Sequence, residues 1–365
     1  MTQYTVGFLG LGLIGGSIAR ALKERVPETK INAFDPDKDS LSQAYKDGVV
    51  DVVSSGIDSQ FSACDFIFLC AGVEANAANA GAVAPFLGEK TILTDIGSVK
   101  SPIHQKIRDL GLEKRFIGGH PMAGSERSGY TNSKSKLLEN AYYIITRTES
   151  NTPEQISAYR GLVSSMGAIP IDMSPDRHDF ITAAVSHVPH VISASLVNLV
   201  RKKDGPNEEM KMIAAGGFKD ITRISSSSAD MWKQICLTNS ENICSLLDDY
   251  IGLLNNMKRS IVAHDPDGLF GQFDSARRYR ESFIDTSSGP IKTANAIHIE
   301  IPDEPGALAI VTTILASNRI NIKNVGIIHN REFETGSLRV ELHDENEVRR
   351  AAKVLEQHGY QVNIG

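Results

Sequence analysis

Cysteine is scarce: Cys64, Cys70, Cys236 and Cys244 fall in two distant pairs that fit neither a zinc-ligand nor a redox spacing. Reduced, mostly buried thiols are expected. Metal-ligand spacing is missing among the histidines too. His104, His178, His264, His298, His329, His343 and His358 are read as structural or surface residues, and no metal is expected. No apolar run approaches the length needed to span a bilayer. The start, MTQYTVGFLG, has no basic region or cleavage pattern of a secretory signal. The chain is therefore placed in the cytoplasm with no membrane partner. Positive charge is in deficit, with 38 Lys and Arg against 44 Asp and Glu and a formal net charge of −6. That gives nucleic acid no general attraction, and an anionic ligand would need local cations. Internal repeats and low-complexity tracts are also lacking.

What is present is an ordinary globular composition, 41% hydrophobic and 22% charged, which argues against a mainly disordered chain. A length of 365 residues is too great for one ordinary core, so two or three domains are expected. Up to about residue 170, short apolar runs at 4–9, 31–34, 66–69, 91–94, 116–117 and 142–145 alternate with helix-like stretches. That alternation predicts a mostly parallel sheet covered on both faces. From about 173 to 283 the pattern is helical with no convincing strand. The stretch 179–200 is too apolar for a surface helix and suits a helical core or a subunit interface. DTSSGP at 285–290 reads as linker. Beyond it the order strand 296–301, helix 306–317, strands 320–328 and 336–342, helix 345–358, strand 360–364 is βαββαβ, a ferredoxin-like unit small enough that pairing with a second copy is plausible. The expected division is 1–172, an α/β Rossmann-type parallel sheet; 173–284, all helical; 285–294, linker; and 295–365, the ferredoxin-like unit.

GLGLIG at 10–15 follows a strand and opens a helix, the context a G-x-G-x-x-G needs before it carries weight. Gly10 allows the tight turn, Gly12 lets the backbone approach a pyrophosphate, and Gly15 lets helix and strand pack closely. The phosphates then face free amides at the helix N-terminus. The cofactor surface is assigned to Gly10, Gly12, Leu13, Ile14, Gly15, Ser17 and Asp35, with the Ser17 hydroxyl able to donate one further bond. Asp35, twenty positions after Gly15, can accept from ribose hydroxyls and would repel a 2′-phosphate, which favours NAD over NADP.

Three later segments are polar where packing alone would not demand it. TDIGSVK at 94–100 follows a strand, so Ser98 can meet a ligand at the sheet's carboxyl edge. GGHPMAGSERSG at 118–129 holds a single imidazole, His120, between a glycine and a proline. The third comprises SHVPH at 186–190, GGFKDITR at 216–223 and the lone Trp232. With GLIGGS at 12–17, these segments resemble the prephenate dehydrogenase family in five motifs, in order, over roughly residues 5–235: GLIGGS, D-x-x-S-x-K, HPMAG, SH-x-PH and GF-x-D-x-TRI-x-x-S. The C-terminal unit resembles an ACT domain, an amino-acid-sensing module carried by some members.

The resemblance implies oxidative decarboxylation of prephenate to 4-hydroxyphenylpyruvate with NAD⁺, a step of tyrosine biosynthesis. That chemistry needs an acceptor for the ring hydroxyl's proton with a near-neutral pKa, which suits histidine. By resemblance His120 takes that role, with Ser98 orienting it and the hydroxyl. Arg223 can grip a carboxylate through two parallel bonds. His190, with Ser186 beside it in the motif, resembles the second substrate histidine. Glu126, Lys219 and Asp220 match a charged gate, and Trp232 a neighbour that packs nearby. Plainer readings stand beside these: His120 as a turn histidine, His187 as structural, Arg223 in a simple ion pair, Lys219 and Asp220 as a solvated pair, Trp232 as core packing.

In IPDEPGAL at 301–308 a strand ends and a helix begins, leaving amides that suit a carboxylate. The D-x-P-G-x-L pattern resembles the ACT ligand loop, which carries binding positions onto Asp303, Gly306 and Asn321. L-Tyrosine, the end product, is the obvious effector, although nothing in these residues selects it; a purely structural pairing domain is the alternative. A homodimer is expected from the apolar helices and the ACT unit. Arogenate dehydrogenase is the nearest rival, since only a few pocket contacts decide between the two substrates. The G-x-x-x-K motif of β-hydroxyacid dehydrogenases is not found. A non-catalytic NAD- and amino-acid-binding sensor is disfavoured by the intact Ser98, His120 and Arg223. The first strand starts near Tyr4, so no chorismate mutase segment is expected.

Overall fold

The computed structural model describes residues 4–284 other than Glu126, and 295–364 other than Asp303 and 329–334. Two compact units are present, one ending at Leu269 and one starting at Phe270. The linker expected at 285–294 lies outside the described residues.

In the first unit, β1 (Thr5–Leu9), α1 (Leu13–Arg25), β2 (Lys30–Phe34), α2 (Lys38–Lys46), β3 (Val52–Val53), β4 (Phe66–Leu69), α3 (Val73–Val83) and β5 (Ile92–Asp95) build an all-parallel sheet of order β3-β2-β1-β4-β5. Alternation decides which core each residue joins. Val6, Phe8, Phe66 and Phe68 enter one apolar cluster, and Leu9, Ile67 and Leu69 enter another. Both faces are buried, as a parallel sheet requires. The order in which strands are added reverses between β1 and β4, which makes the crevice beyond their carboxyl ends the natural ligand site. The two-residue β3 is exposed and carried no periodic signal.

After α4 (Ser101–Asp109) come β6 (Ile117–Pro121), β7 (Tyr142–Arg147), α5 (Pro153–Ser165) and β8 (Ile169–Asp172). β6 and β7 pair antiparallel and β7 and β8 parallel, and a Leu93–Phe116 bridge joins this trio to the first sheet. The register seats His120 opposite Ile144.

The helical region opens with α6 (Pro175–Thr182), started by Ser174 capping the Arg177 amide and by Pro175 in the first turn. A π-helical turn at Ala183–His187 leads into α7 (Val188–Lys203), whose Pro189 cannot donate a helical N–H. α8 (Glu209–Ile213), α9 (Gly216–Thr222), α10 (Ala229–Thr238), α11 (Ser240–Val262) and α12 (Pro266–Ile284) follow. The expectation that no apolar run is long enough to span a bilayer needs correction. Pro175–Lys203 is one 29-residue helix that passes by length and composition, although 28% of its most apolar window is buried. It carries Asp179 and His187, both buried and hydrogen-bonded inside the protein, groups that hydrocarbon would penalise. Those bonds tie its first half into the protein, while most of the apolar window is not buried.

The second unit contains the rest of α12, then β9 (Ala296–Pro302), α13 (Ala307–Ser317), β10 (Asn324–Ile328), β11 (Thr335–Glu341), α14 (Glu345–Gln357) and β12 (Val362–Ile364). The antiparallel order β10-β11-β9-β12 is the ferredoxin-like arrangement of ACT domains. Its core sets Ile297, Ile299 and Leu338 of the sheet against Val311 and Leu315 of α13 and Val348 and Leu355 of α14.

Candidate active site

The floor of the site is the turn from β1 into α1. Gly10 has φ +103°, and a Cβ there would lie 2.9 Å from the Cys70 backbone, so both conformation and space demand glycine. At Gly15 a Cβ would lie 2.9 Å from the Gly10 carbonyl and 3.0 Å from Cys70 Cβ. Gly12 is different: nothing lies within 4 Å of its missing Cβ, and it lines the cavity. One glycine serves the turn, one the packing, and one leaves room above the free amides of α1. That open cradle fits a pyrophosphate. Leu13 and Ile14 also line the cavity. Asp35, half-buried at the end of β2, accepts from the Leu11 amide at 2.6 Å and the Asp37 amide at 2.8 Å. Its carboxylate is thereby fixed beside the glycine turn.

Ser17 departs from expectation. It is fully buried, its hydroxyl donates to the Leu13 carbonyl at 2.7 Å and accepts from the Lys134 amide at 3.0 Å, and it does not line the cavity. The first turn of α1 points it inward, so it ties the helix to the 134 loop instead of to a ligand. Gly12→Val should leave the melting temperature nearly unchanged, because the added atoms meet open space, while weakening dinucleotide binding at least about tenfold, the equivalent of roughly 1.4 kcal/mol. Thermal melts and a binding titration check both halves.

Above this floor is a cavity of about 820 Å³, within the first unit. Its walls come from residues 70–72 after β4, 96–98 after β5, the loop that begins at His120, and the helical residues Ser186, His187, His190, Arg223 and Trp232. A volume of this size holds a small ligand beside a cofactor's reactive end.

His120 is half-buried at the end of β6, and its position is set from beneath. Thr94 Oγ1, Tyr159 Oη and Tyr143 Oη form a buried hydroxyl chain with spacings of 2.6 and 2.9 Å. The strand crosses this chain at Gly119, where a Cβ would come 2.5 Å from Tyr159 Oη, so only glycine lets the backbone pass. Lys100, fully buried, pairs through Nζ with Asp95 and donates to the Gly119 carbonyl at 2.7 Å. Asp95 also accepts from the Gly97 amide at 2.9 Å.

His120 also has a partner that the sequence reading did not single out. His120 Nδ1 lies 2.8 Å from His178 Nε2, and His178 Nδ1 lies 2.7 Å from Asp179 Oδ1. Asp179 also accepts from the Lys100 amide at 2.7 Å and the Ser101 amide at 2.8 Å. Ser98 lines the cavity but makes no hydrogen bond to His120. His178 and Asp179 project from α6, about 60 positions away in the chain. No spacing rule marks them, although the Asp95 and Lys100 positions sat in the D-x-x-S-x-K motif.

Ser186, His190, Arg223 and Trp232 meet on the opposite wall. His190 stacks on the Trp232 indole with centroids 3.7 Å apart, and its Nδ1 lies 2.8 Å from the Ser186 carbonyl, which can only accept. His190 therefore carries its proton on Nδ1. His187 is buried against the edge of the same indole and bonded to Asn239 at 3.1 Å. Lys219 and Asp220 are exposed on α9 and do not line the cavity, and Glu126 lies outside the described residues.

Burial, helped by the nearby charges of His178, Lys100 and His187, holds His120 well below the usual histidine value. Burial also pushes His104 and His187 down to about 4. These two rings titrate near 6.5 when unfolded, so between about 6.5 and 4 the unfolded chain binds more protons and acidification destabilises the fold. The melting temperature should therefore fall steadily from pH 6.5 towards 4.5. A flat profile would show these rings to be accessible.

A parallel nucleotide-binding sheet, a glycine cradle and an imidazole facing the same cavity define a dinucleotide-dependent dehydrogenase built from a Rossmann-type domain and a helical domain. Family models match twice: "Prephenate dehydrogenase, nucleotide-binding domain" over residues 18–171 and "Prephenate dehydrogenase, dimerization domain" over 174–275. Prephenate dehydrogenase of Bacillus subtilis is 34% identical over 358 residues, 96% of this chain and 95% of that protein. The crystal structure of prephenate dehydrogenase from Aquifex aeolicus, in complex with hydroxyphenyl propionate and NAD⁺, superposes with a TM-score of 0.74 at 31% identity, covering 78% of this chain and 99% of that one. Synechocystis arogenate dehydrogenase gives 0.68 at 27%, covering 76% and 99%. The chain belongs to the prephenate dehydrogenase family and is an enzyme of that family.

Proposed function

We propose that the chain catalyses the NAD⁺-dependent oxidative decarboxylation of prephenate to 4-hydroxyphenylpyruvate. One observation carries the reading: an uncharged imidazole, His120, shares a cavity with Arg223 and with the glycine cradle. NAD⁺, when bound, supplies the hydride acceptor. His120 takes the ring hydroxyl's proton, and Ser98 holds that hydroxyl in line. Arg223 holds a substrate carboxylate, and His190, fixed by Trp232 and the Ser186 carbonyl, presents Nε2 as an acceptor. Loss of the ring carboxylate as CO₂ leaves an aromatic phenolate that takes the proton back from His120, and the overall balance is prephenate plus NAD⁺ to 4-hydroxyphenylpyruvate, CO₂ and NADH. Asp35 at the end of β2 favours NAD⁺ over its 2′-phosphorylated form by charge repulsion.

The same reading divides the chain at 172 and 284 and assigns the C-terminal unit to regulation. Gly306, with φ +97°, caps α13 in open surroundings, and Asn321 Nδ2 lies 3.3 Å from His343 Nε2. A free amino acid, L-tyrosine, binds there, with Asp303 as a further contact. Exposed Leu199, Leu253 and Leu254 supply apolar side chains for a homodimer contact, in keeping with the family model for this region. A cytoplasmic location follows from the same composition.

Rates of NADH formation with prephenate and with arogenate, each with and without L-tyrosine, test this. Turnover of prephenate suppressed by tyrosine supports the whole reading. Turnover of arogenate alone moves the substrate and keeps the residues, and turnover of neither removes it.

A further inference from the structure

We propose that Asp179 and His178 act as a positioning pair that fixes the His120 proton on Nδ1 and leaves Nε2 bare for the substrate. The inference rests on His120 being the base. It begins at Asp179, which accepts the Lys100 and Ser101 amides and faces His178 Nδ1, while its backbone carbonyl accepts from Asn239 at 2.8 Å. A carboxylate so surrounded stays ionised and can only accept, so the proton between it and His178 sits on His178 Nδ1. Burial keeps His178 uncharged against the pull of Asp179. Its Nε2 is then a lone pair, and the only proton that can fill the 2.8 Å gap to His120 is one on His120 Nδ1. Among the described residues His120 Nε2 has no hydrogen-bond partner, and His120 lines the cavity. The tautomer is thus imposed over three side chains, from a carboxylate that never touches substrate.

Geometry also explains why the pair sits where it does. His178 and Asp179 are consecutive on α6, so they point about 100° apart around the helix. One contacts β6 while the other ties down the start of α4. The charged and titratable groups near His120 are His178, His187 and Lys100, with Asp95 neutralising Lys100. None of these except His178 contacts its Nδ1.

Two substitutions and one spectrum test the pair in the full-length enzyme. In His178→Phe the ring is retained without an acceptor, and kcat should fall about a hundredfold, within the range general-base catalysis supplies. His178→Gln returns an acceptor oxygen and should recover to within about tenfold of the parent, with the KM for NAD⁺ unchanged in both. A packing role predicts the reverse order or equal losses, and either result overturns the proposal. In parallel, ring-¹⁵N-histidine NMR of the unsubstituted chain, assigned against His120→Asn, should show the His120 proton on Nδ1. A proton on Nε2 overturns the proposal even if both variants lose activity. Because the spectrum needs no substrate, it decides the pair even if prephenate proves to be the wrong substrate.

Discussion

His120→Asn should reduce turnover by roughly 10² to 10⁴-fold, the span a positioned general base contributes, and leave dinucleotide binding within about twofold of the parent. Asparagine can keep a hydrogen bond towards α6 but cannot take a proton, so the loss falls on the chemical step. The cradle at Gly10, Gly12 and Gly15 is built by β1, β4 and α1 and makes no use of the imidazole. Stability should change little, since His120 is half-buried and its backbone place is held by Lys100 and the Tyr143–Tyr159 chain. Single-turnover rates and a dinucleotide titration separate the two effects. Near-parent turnover in the variant would show that proton removal lies elsewhere.

Lys100→Met should be the most destabilising single change at the site, costing about 3–5 kcal/mol, because it strands the Asp95 carboxylate in a buried position with its cation removed. Lys100 is 0% and Asp95 1% exposed, so water cannot make up the loss. For a unit of this size the melting temperature should drop by roughly 10 °C. Pairing the change with Asp95→Asn removes the stranded charge and should recover a good part of that loss. The double variant should still turn over slowly, since the Gly119 carbonyl loses the ammonium that holds the His120 backbone in place. If the double variant were no more stable than Lys100→Met alone, the buried pair would not be the source of the loss.

Much of this was legible in the residues. The short apolar runs of β1, β4 and β5 and the glycine turn have local signatures, since an unbroken apolar stretch and a G-x-G-x-x-G are written in consecutive positions. The βαββαβ order of the C-terminal unit was legible for the same reason. His120, Ser98, His190, Arg223 and Trp232 stood out as polar or aromatic residues in loops and helices with no packing need for them, and the structure brings all five to one cavity. His178 and Asp179 were passed over because their meaning is tertiary. An HD dipeptide early in a helix looks like any solvated pair until β6 and α4 are laid against it. Ser17 failed in the opposite direction: it belongs to a ligand-like motif, yet the helix turns its hydroxyl into the protein. Strand β3 was invisible because two exposed valines make no period.

The π turn at Ala183–His187 amounts to a one-residue insertion held inside an otherwise regular helix. Regularising it to α-helix without changing its length would give better local hydrogen bonding, and would also rotate everything downstream by about 100° relative to α6. His190 would then leave the cavity wall while His178 and Asp179 stayed behind. The two histidine-bearing faces of the cavity are thus kept in phase by a helical irregularity, and a lineage that tidied the helix would lose one cavity wall before it lost the fold.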